Sequence, residues 1–355
     1  MTETHIGPYR LEAPFSTAGG GQSQWTFAER DGTSYFIKQF LAPTYPLEDG
    51  PGSAAGKAKK RLRCERFEAH HMTIDRLLSP LSSEGGNLVV AREFFRYGAH
   101  YFKVTDRVDA VELPPESIAA QPVDRRLLLM MSVAHSIGLL HVNSLVHGDL
   151  KPANVLIKQT GPDRFTTKLI DFDNCFHVGD VPEVDEIVGD PVYYSPEMMA
   201  YVTGNGPKEA LGLPSDIFAA GLLFSQYLTG KLPTVTGGGY IAEAVDNGGT
   251  LKMPPVSAEL DKAVAELIGR MLSRAAADRP TVKEVQQSLK LLRKMDGSGP
   301  SPAPAPSSPA AAAGAVGVLR GRGLAIAHGK DETPPGAGTE GALRGSLLRK
   351  KDSGG

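Results

Sequence analysis

His147-Gly148-Asp149-Leu150-Lys151-Pro152-Ala153-Asn154, followed by Asp171-Phe172-Asp173, is the stretch that decides the fold. Before it, residues 125–143 form a helical pattern that is apolar nearly all round, the mark of a buried helix. Between its two parts lie short strands at 155–158 and 167–170, joined by a hairpin turn over 160–166. Asp149 and Asn154 stand five residues apart on the loop, and Asp171 closes the strand pair. Two acids, an amide and a lysine gathered at strand ends suit a magnesium ion and phosphate. Oxygen ligands hold the hard cation, and the lysine offsets anionic charge. One such acid alone is usually a solvated loop residue; the whole constellation is not.

On the N-terminal side, 25–29 and 34–40 read as strands around the turn Arg30-Asp31-Gly32. Residues 42–58 are rich in Pro, Gly and small side chains and read as a flexible loop. A helix follows at 61–78, then strands at 88–95 and 100–108 around Tyr97-Gly98. Residues 1–107 therefore form a small antiparallel sheet with one helix. Residues 108–296 are mainly helical, with further helices at 216–229, 260–274 and 282–293, the last started by Pro280-Thr281. The expected class is α+β, in two lobes. Residues 297–355 are rich in Gly, Ala and Pro and read as a disordered tail, since few large apolar residues are there to offset ordering entropy.

The chain has 355 residues, 41% of them apolar, which is ample for a core. Lys+Arg 38 against Asp+Glu 40 leave a net charge of −2, which argues against a coat for nucleic acid. The tail holds seven basic and four acidic residues, or +3, leaving −5 on the rest. Two cysteines, Cys64 and Cys175, make no disulfide framework and suit a reducing compartment. The most apolar run, 127–140, contains Ser132, His135, Ser136 and Gly138 and falls short of the ~20 residues a spanning helix needs. No apolar leader is read in 1–10, so the expected location is the cytoplasm.

With these residues in view, 10–293 resemble the eukaryotic-like (Hanks-type) serine/threonine protein kinases. The resemblance implies a two-lobed fold with ATP and Mg²⁺ in the cleft and a protein hydroxyl as acceptor. By its motifs, Asp149 accepts the hydroxyl proton, Lys151 steadies the γ-phosphate, and Asn154 and Asp171 hold metal. Lys38, in Tyr35-Phe36-Ile37-Lys38, is the strand lysine on the α/β-phosphates. Its helix carboxylate is Glu68, with Met72 at the apolar position beyond it; Glu65 shares that face and is the alternative. Gly19, Gly20 and Gly21 form a degenerate phosphate loop, with Trp25 in the family's valine position. Thr105, Asp106 and Val108 lie on the lobe connection that meets adenine, with Thr105 guarding the back pocket. Glu197 in Ser195-Pro196-Glu197, Asp216 and Arg279 match buried framework positions: Asp216 braces the catalytic loop, and Arg279 pairs with Glu197.

Three departures stand out. Gly148 replaces the family's arginine, which normally docks a phosphorylated activation loop. Asp173 replaces the glycine of DFG and is either a third metal neighbour or a solvated charge. Asp190 stands where a threonine normally bonds near the catalytic aspartate, which puts the hydroxyl-acceptor geometry in question. Gly148 and Asp173 also occur in aminoglycoside and choline phosphotransferases, one rival reading. A pseudokinase that only binds partners is the other, opposed by the presence of Lys38, Asp149 and Asp171.

The string 64–71, CERFEAHH, looks like kinases associated with a PP2C-type phosphatase and a von Willebrand A domain protein, which makes those two the implied partners. His70 and His71 read as surface or satisfied histidines, because adjacent helix residues point about 100° apart. Thr333, Ser346 and Ser353 in the tail are candidate autophosphorylation sites.

Overall fold

Hairpins build the first part of the chain. The computed structural model describes residues 4–18, 23–83 and 86–296, all within the unit Met1–Gly299. Strands β1 (His5–Ile6) and β2 (Tyr9–Leu11) lead into β3 (Ser23–Arg30) and β4 (Thr33–Phe40). The β3–β4 turn rests on Asp31 and Gly32, at φ +53° and +76°, the handedness a two-residue hairpin requires. Helix α1 (Ala54–Leu78) follows, then β5 (Ala91–Tyr97) and β6 (His100–Asp106). The sheet is antiparallel, in the order β1-β2-β3-β4-β6-β5.

Alternation along these strands sorts side chains onto two faces. Ala28, Ile37, Phe102 and Val104 bury on one, with Ile6 and Tyr9. Trp25, Lys38 and Lys103 lie directly across from one another on the other. Helix α1 packs on that second face through Cys64, against Phe40 and Tyr101.

Two boundaries differ from the sequence expectation. The loop expected over 42–58 ends at Ser53, whose side chain caps α1 by accepting from the Gly56 N–H. Alanines and lysines then carry the helix, so composition read as loop is in fact helix-forming. Residues 88–90 do not begin β5. The Val89 N–H donates to Leu169 O and the Leu169 N–H to Asn87 O, which ties this stretch to the second lobe.

Beyond β6 come α2 (Pro115–Ala119), α3 (Val123–Val142), β7 (Leu145–Val146), β8 (Val155–Gly161), β9 (Arg164–Leu169) and β10 (Phe176–His177). Then follow α4 (Pro196–Val202), α5 (Leu213–Thr229), β11 (Thr234–Val235), α6 (Ile241–Asp246), β12 (Leu251–Lys252), α7 (Glu259–Met271) and α8 (Val282–Met295). Helices α3 and α5 form the heart of a single apolar core with α7 and α8. The lower end of α1 joins it through Ile74 and Leu78. Helix α8 starts with a reciprocal cap between Thr281 and Glu284, at the start signal read from the sequence. The arrangement is a small sheet with one long helix over a larger, mainly helical lobe, as expected.

Two buried features hold the second lobe in register. The Arg279 guanidinium forks onto Glu197 at 2.7 and 2.8 Å, and Ser215 donates to the same carboxylate at 2.9 Å. Burial alone would raise the Glu197 carboxyl; the hydrogen bonds and charge of Arg279, with the Ser215 hydroxyl and a backbone N–H, together outweigh it and hold the carboxyl below its ordinary 4.5. The turn after β7 depends on Gly148, at φ +77°, where an added Cβ would lie 2.5 Å from Asn174 O.

Arg279→Met should cost about 3–5 kcal/mol by leaving Glu197 buried and unpaired, with Glu197→Gln/Arg279→Met recovering part of the loss in chemical denaturation. Because the native carboxyl lies low, this pair's stabilisation is complete above pH 4.5 and lost as pH falls through the folded value. The melting difference between wild type and the double variant should therefore shrink on acidification. Gly148→Ala should lower stability by more than the ~1 kcal/mol of a left-handed alanine, since backbone blocks the added methyl; calorimetry would show it.

Candidate active site

The loop between β7 and β8 hangs from a buried carboxylate. Asp216 on α5 is 1% exposed. Its oxygens accept from the His147 N–H at 2.8 Å, the Gly148 N–H at 3.2 Å and His141 Nε2 at 3.1 Å. The fully buried His147 ring continues the brace. Its Nδ1 accepts from the Asp149 N–H at 3.3 Å and its Nε2 donates to Ile170 O at 3.1 Å, a tautomer assigned from this network.

Asp149 is thereby presented with its carboxylate held on both oxygens. Oδ1 accepts from the Asp190 backbone N–H at 3.1 Å. Oδ2 accepts from Asn154 Nδ2 at 3.0 Å and lies 2.8 Å from Lys151 Nζ. Asn154 Nδ2 also donates to Asp149 O at 2.7 Å. Asp190 raised a question in the sequence, and the structure answers it. Its carboxylate turns away to accept from the Val192 N–H, while its main chain supplies the bond to Asp149. A backbone donor needs no particular side chain, so the threonine is dispensable for that contact.

Asp171 ends the strand pair at φ +62°, a strained conformation for a residue with a Cβ. Lys38 reaches across the cleft and donates to both of its oxygens, at 3.0 and 2.9 Å. Phe172 beside it is buried against the His147 ring.

The helix partner expected for Lys38 is absent. Glu68 Oε1 accepts from Tyr101 OH at 2.6 Å, and Glu65 is exposed. Met72, read as an apolar anchor beyond Glu68, is also exposed, and Ile74 and Leu78 are buried instead. Lys38 Nζ instead lies 2.7 Å from Asp173 Oδ2, a contact of charge without an aligned hydrogen bond. Asp173 is thus not a solvated charge. It also accepts from Lys103 at 2.8 Å, and Lys103 in turn meets His71 Nδ1 at 3.0 Å and Asp75 at 3.6 Å.

Burial governs the charges here. It would discharge Lys38, but Asp173 and Asp171 outweigh it and hold the ammonium above its ordinary value. Lys103 is likewise raised by Asp173 and Asp75 against burial. Asp173 would be raised by burial, yet Lys103 and Lys38 hold it well below the carboxylate range. Asp171 is raised by burial and by neighbouring Asp173. Burial and Lys103 keep His71 neutral, so its Nδ1 can accept from the lysine. The satisfied reading therefore holds for His71. Lys103 escaped the sequence reading; its register opposite Lys38 was the available signal.

On the roof of the cleft, Trp25 stacks on Phe36 at 5.6 Å between centroids, with Phe27 edge-on to both. Trp25 Nε1 donates to Ala18 O. Gly19, Gly20 and Gly21 lie outside the described residues, as do Thr333, Ser346 and Ser353 and the whole expected tail. Thr105 sits across from Phe36, so the residue behind Lys38 is Lys103 instead of Thr105. The Asp106 carboxylate is taken by Arg92 at 2.9 and 2.6 Å. Asp106 and Val108 line a cavity of about 310 Å³ with Val90, Lys158 and Lys168.

Asn154 and Asp171 fit a magnesium ion by donor chemistry. The Asn154 NH₂ is committed to Asp149, which leaves its amide oxygen for a cation, and Asp171 adds a carboxylate. Among the described residues no helix is long and apolar enough to cross a membrane.

Residues 67–289 match the protein kinase domain. The Streptomyces coelicolor serine/threonine-protein kinase PkaA is 28% identical over 233 residues, which are 64% of this chain and 39% of that protein. The Schizosaccharomyces pombe serine/threonine-protein kinase ksg1 is 29% identical over 170 residues, 44% of this chain and 26% of its own. Serine/threonine-protein kinase 17A of Oryctolagus cuniculus is 28% identical over 159 residues, 44% of this chain and 38% of its own. This chain therefore spans well under half the length of these relatives. The matched segment takes in more than half of the chain and holds the braced loop, Asp149, Asn154 and Asp171, and by that match the chain belongs to the protein kinase family.

Proposed function

We propose that this protein transfers the γ-phosphate of ATP to serine or threonine hydroxyls of other proteins. The observation that carries this reading is the Asp149 carboxylate, fixed by Asp190, Asn154 and Lys151. A carboxylate so held accepts and aligns an incoming hydroxyl without needing strong basicity, since the loose transition state asks little of a base. Lys151 lies against the same carboxylate, where it would meet the transferring phosphoryl. Lys38 would neutralise the α- and β-phosphates, turning from Asp171 toward them. Asn154 and Asp171 would hold Mg²⁺, which supplies charge neutralisation on the triphosphate. The base would lie against Trp25 and Phe36, an aromatic roof suited to stacking on a purine.

Regulation follows from what the activation segment lacks. Residues 172–192 contain no Ser, Thr or Tyr, the Tyr193 hydroxyl that follows is bonded to Gln226, Tyr194 and Ser195 are buried, and Gly148 leaves no arginine to dock a phosphate. The segment is held by its own contacts: Asn174 pairs with the Val188 backbone, and Asp190 with Asp149. We infer a kinase that needs no phosphate on this segment. A PP2C-type phosphatase and a von Willebrand A domain protein are its proposed partners, on the strength of the string 64–71 alone. The unpaired, buried Cys64 and Cys175 suit the reducing cytoplasm.

Incubated with labelled ATP, Mg²⁺ and a test protein, wild type should transfer label and Asp149→Asn should lose about a hundredfold or more; equal labelling overturns the assignment. Trp25 is the chain's only tryptophan, so its emission should change saturably on adding Mg·ATP. Phosphatase treatment of the purified protein should leave its rate within about twofold of the untreated rate.

A further inference from the structure

The strand lysine of this chain is anchored by a device that the sequence motifs do not contain. Four side chains meet behind Lys38: Asp173 from the metal loop, Lys103 from β6, and His71 and Asp75 from α1. Asp173 is shared by two ammonium groups, Lys38 at 2.7 Å and Lys103 at 2.8 Å. His70 Nε2 adds a bond to Asp173 O at 3.3 Å. Cys64, Glu68, His71 and Asp75 recur along one stripe of α1, the stripe that faces the sheet. Glu68 on that stripe is a full turn too early and bonds Tyr101.

The charges account for the arrangement. Lys38 and Lys103 stand directly across from each other on neighbouring strands, a pairing of like charges that is unfavourable unless an acid separates them. Asp173 is that acid. A glycine there would leave Lys103 buried with only Asp75, at 3.6 Å, to oppose it.

We propose that Asp173 and Lys103 are positioning residues that hold Lys38 for the triphosphate, in place of a helix carboxylate. Lys103 holds Asp173, Asp173 holds Lys38, and His71 and Asp75 fasten the pair to α1. When Lys38 leaves Asp171, its link to Asp173 keeps it aimed into the cleft. The proposal rests on the kinase reading, and it makes Glu68 dispensable for nucleotide binding.

The test is Mg·ATP affinity by Trp25 emission, together with KM and kcat for ATP, in the full chain. Asp173→Asn and Lys103→Met should each weaken Mg·ATP affinity and raise KM for ATP about tenfold or more, with KM for the protein acceptor within about twofold. Glu68→Gln should leave both ATP parameters within about twofold. Because each single change strands a buried charge, the double Lys103→Met/Asp173→Asn, which removes both, guards against simple misfolding. It should melt closer to wild type than either single while still binding ATP weakly. If wild type binds and transfers phosphate while Asp173→Asn binds ATP normally, the anchor is wrong and the kinase reading stands. If Glu68→Gln weakens ATP as much as Asp173→Asn, the helix carboxylate is the anchor after all. A wild type that binds no Mg·ATP overturns both.

Discussion

Asp216 is the interaction on which the site depends. A carboxylate removed from water inside an apolar helix is costly unless fully hydrogen-bonded, and this one is satisfied by two main-chain N–H groups and a histidine. Those N–H groups belong to the loop that carries Asp149. The stability of the large core and the geometry of the Asp149 carboxylate are therefore the same fact. Gly148 belongs to this arrangement as well. Its left-handed backbone turns the N–H toward Asp216, and Asn174 O fills the space a side chain would need.

The cleft is electrostatically dense and largely neutralised within itself. Lys38, Lys103, Asp171, Asp173 and Asp75 lie within a few contacts of one another, and neutral His71 accepts where a charged ring would repel. Removing one member of such a cluster leaves its partner's charge buried without a counter-charge. This explains why an acid at position 173 accompanies a lysine at position 103. The two are far apart in sequence: Asp173 reads there as a lone departure, and Lys103 draws no notice.

Much of this was legible in the sequence. The His147–Asn154 loop and Asp171 are local motifs, and the periodicities of α3, α5 and the hairpins reveal their partners directly. The brace from Asp216 and the Arg279–Glu197 pair followed from the family resemblance, and the coordinates place them together. What escaped was whatever depends on the rotation of one helix or the register of one strand pair. Glu68 and His71 are three residues apart on α1 and both face β6, and the sequence does not say which of them lies level with Lys103 and which with Tyr101. Lys103 needs the β4–β6 register to be seen across from Lys38. The start of α1 was missed because the residues after Ser53 are small, and small residues serve loops and helices alike.

Helix α1 belongs to two cores at once. Its upper half is clamped to the sheet through Cys64 and its lower end is sunk among the side chains of the larger lobe through Ile74 and Leu78. A rod fixed at both ends cannot swing freely. Any widening of the cleft would therefore have to slide Ile74 and Leu78 against their neighbours, so the packing at the foot of α1 resists it together with the connecting strand.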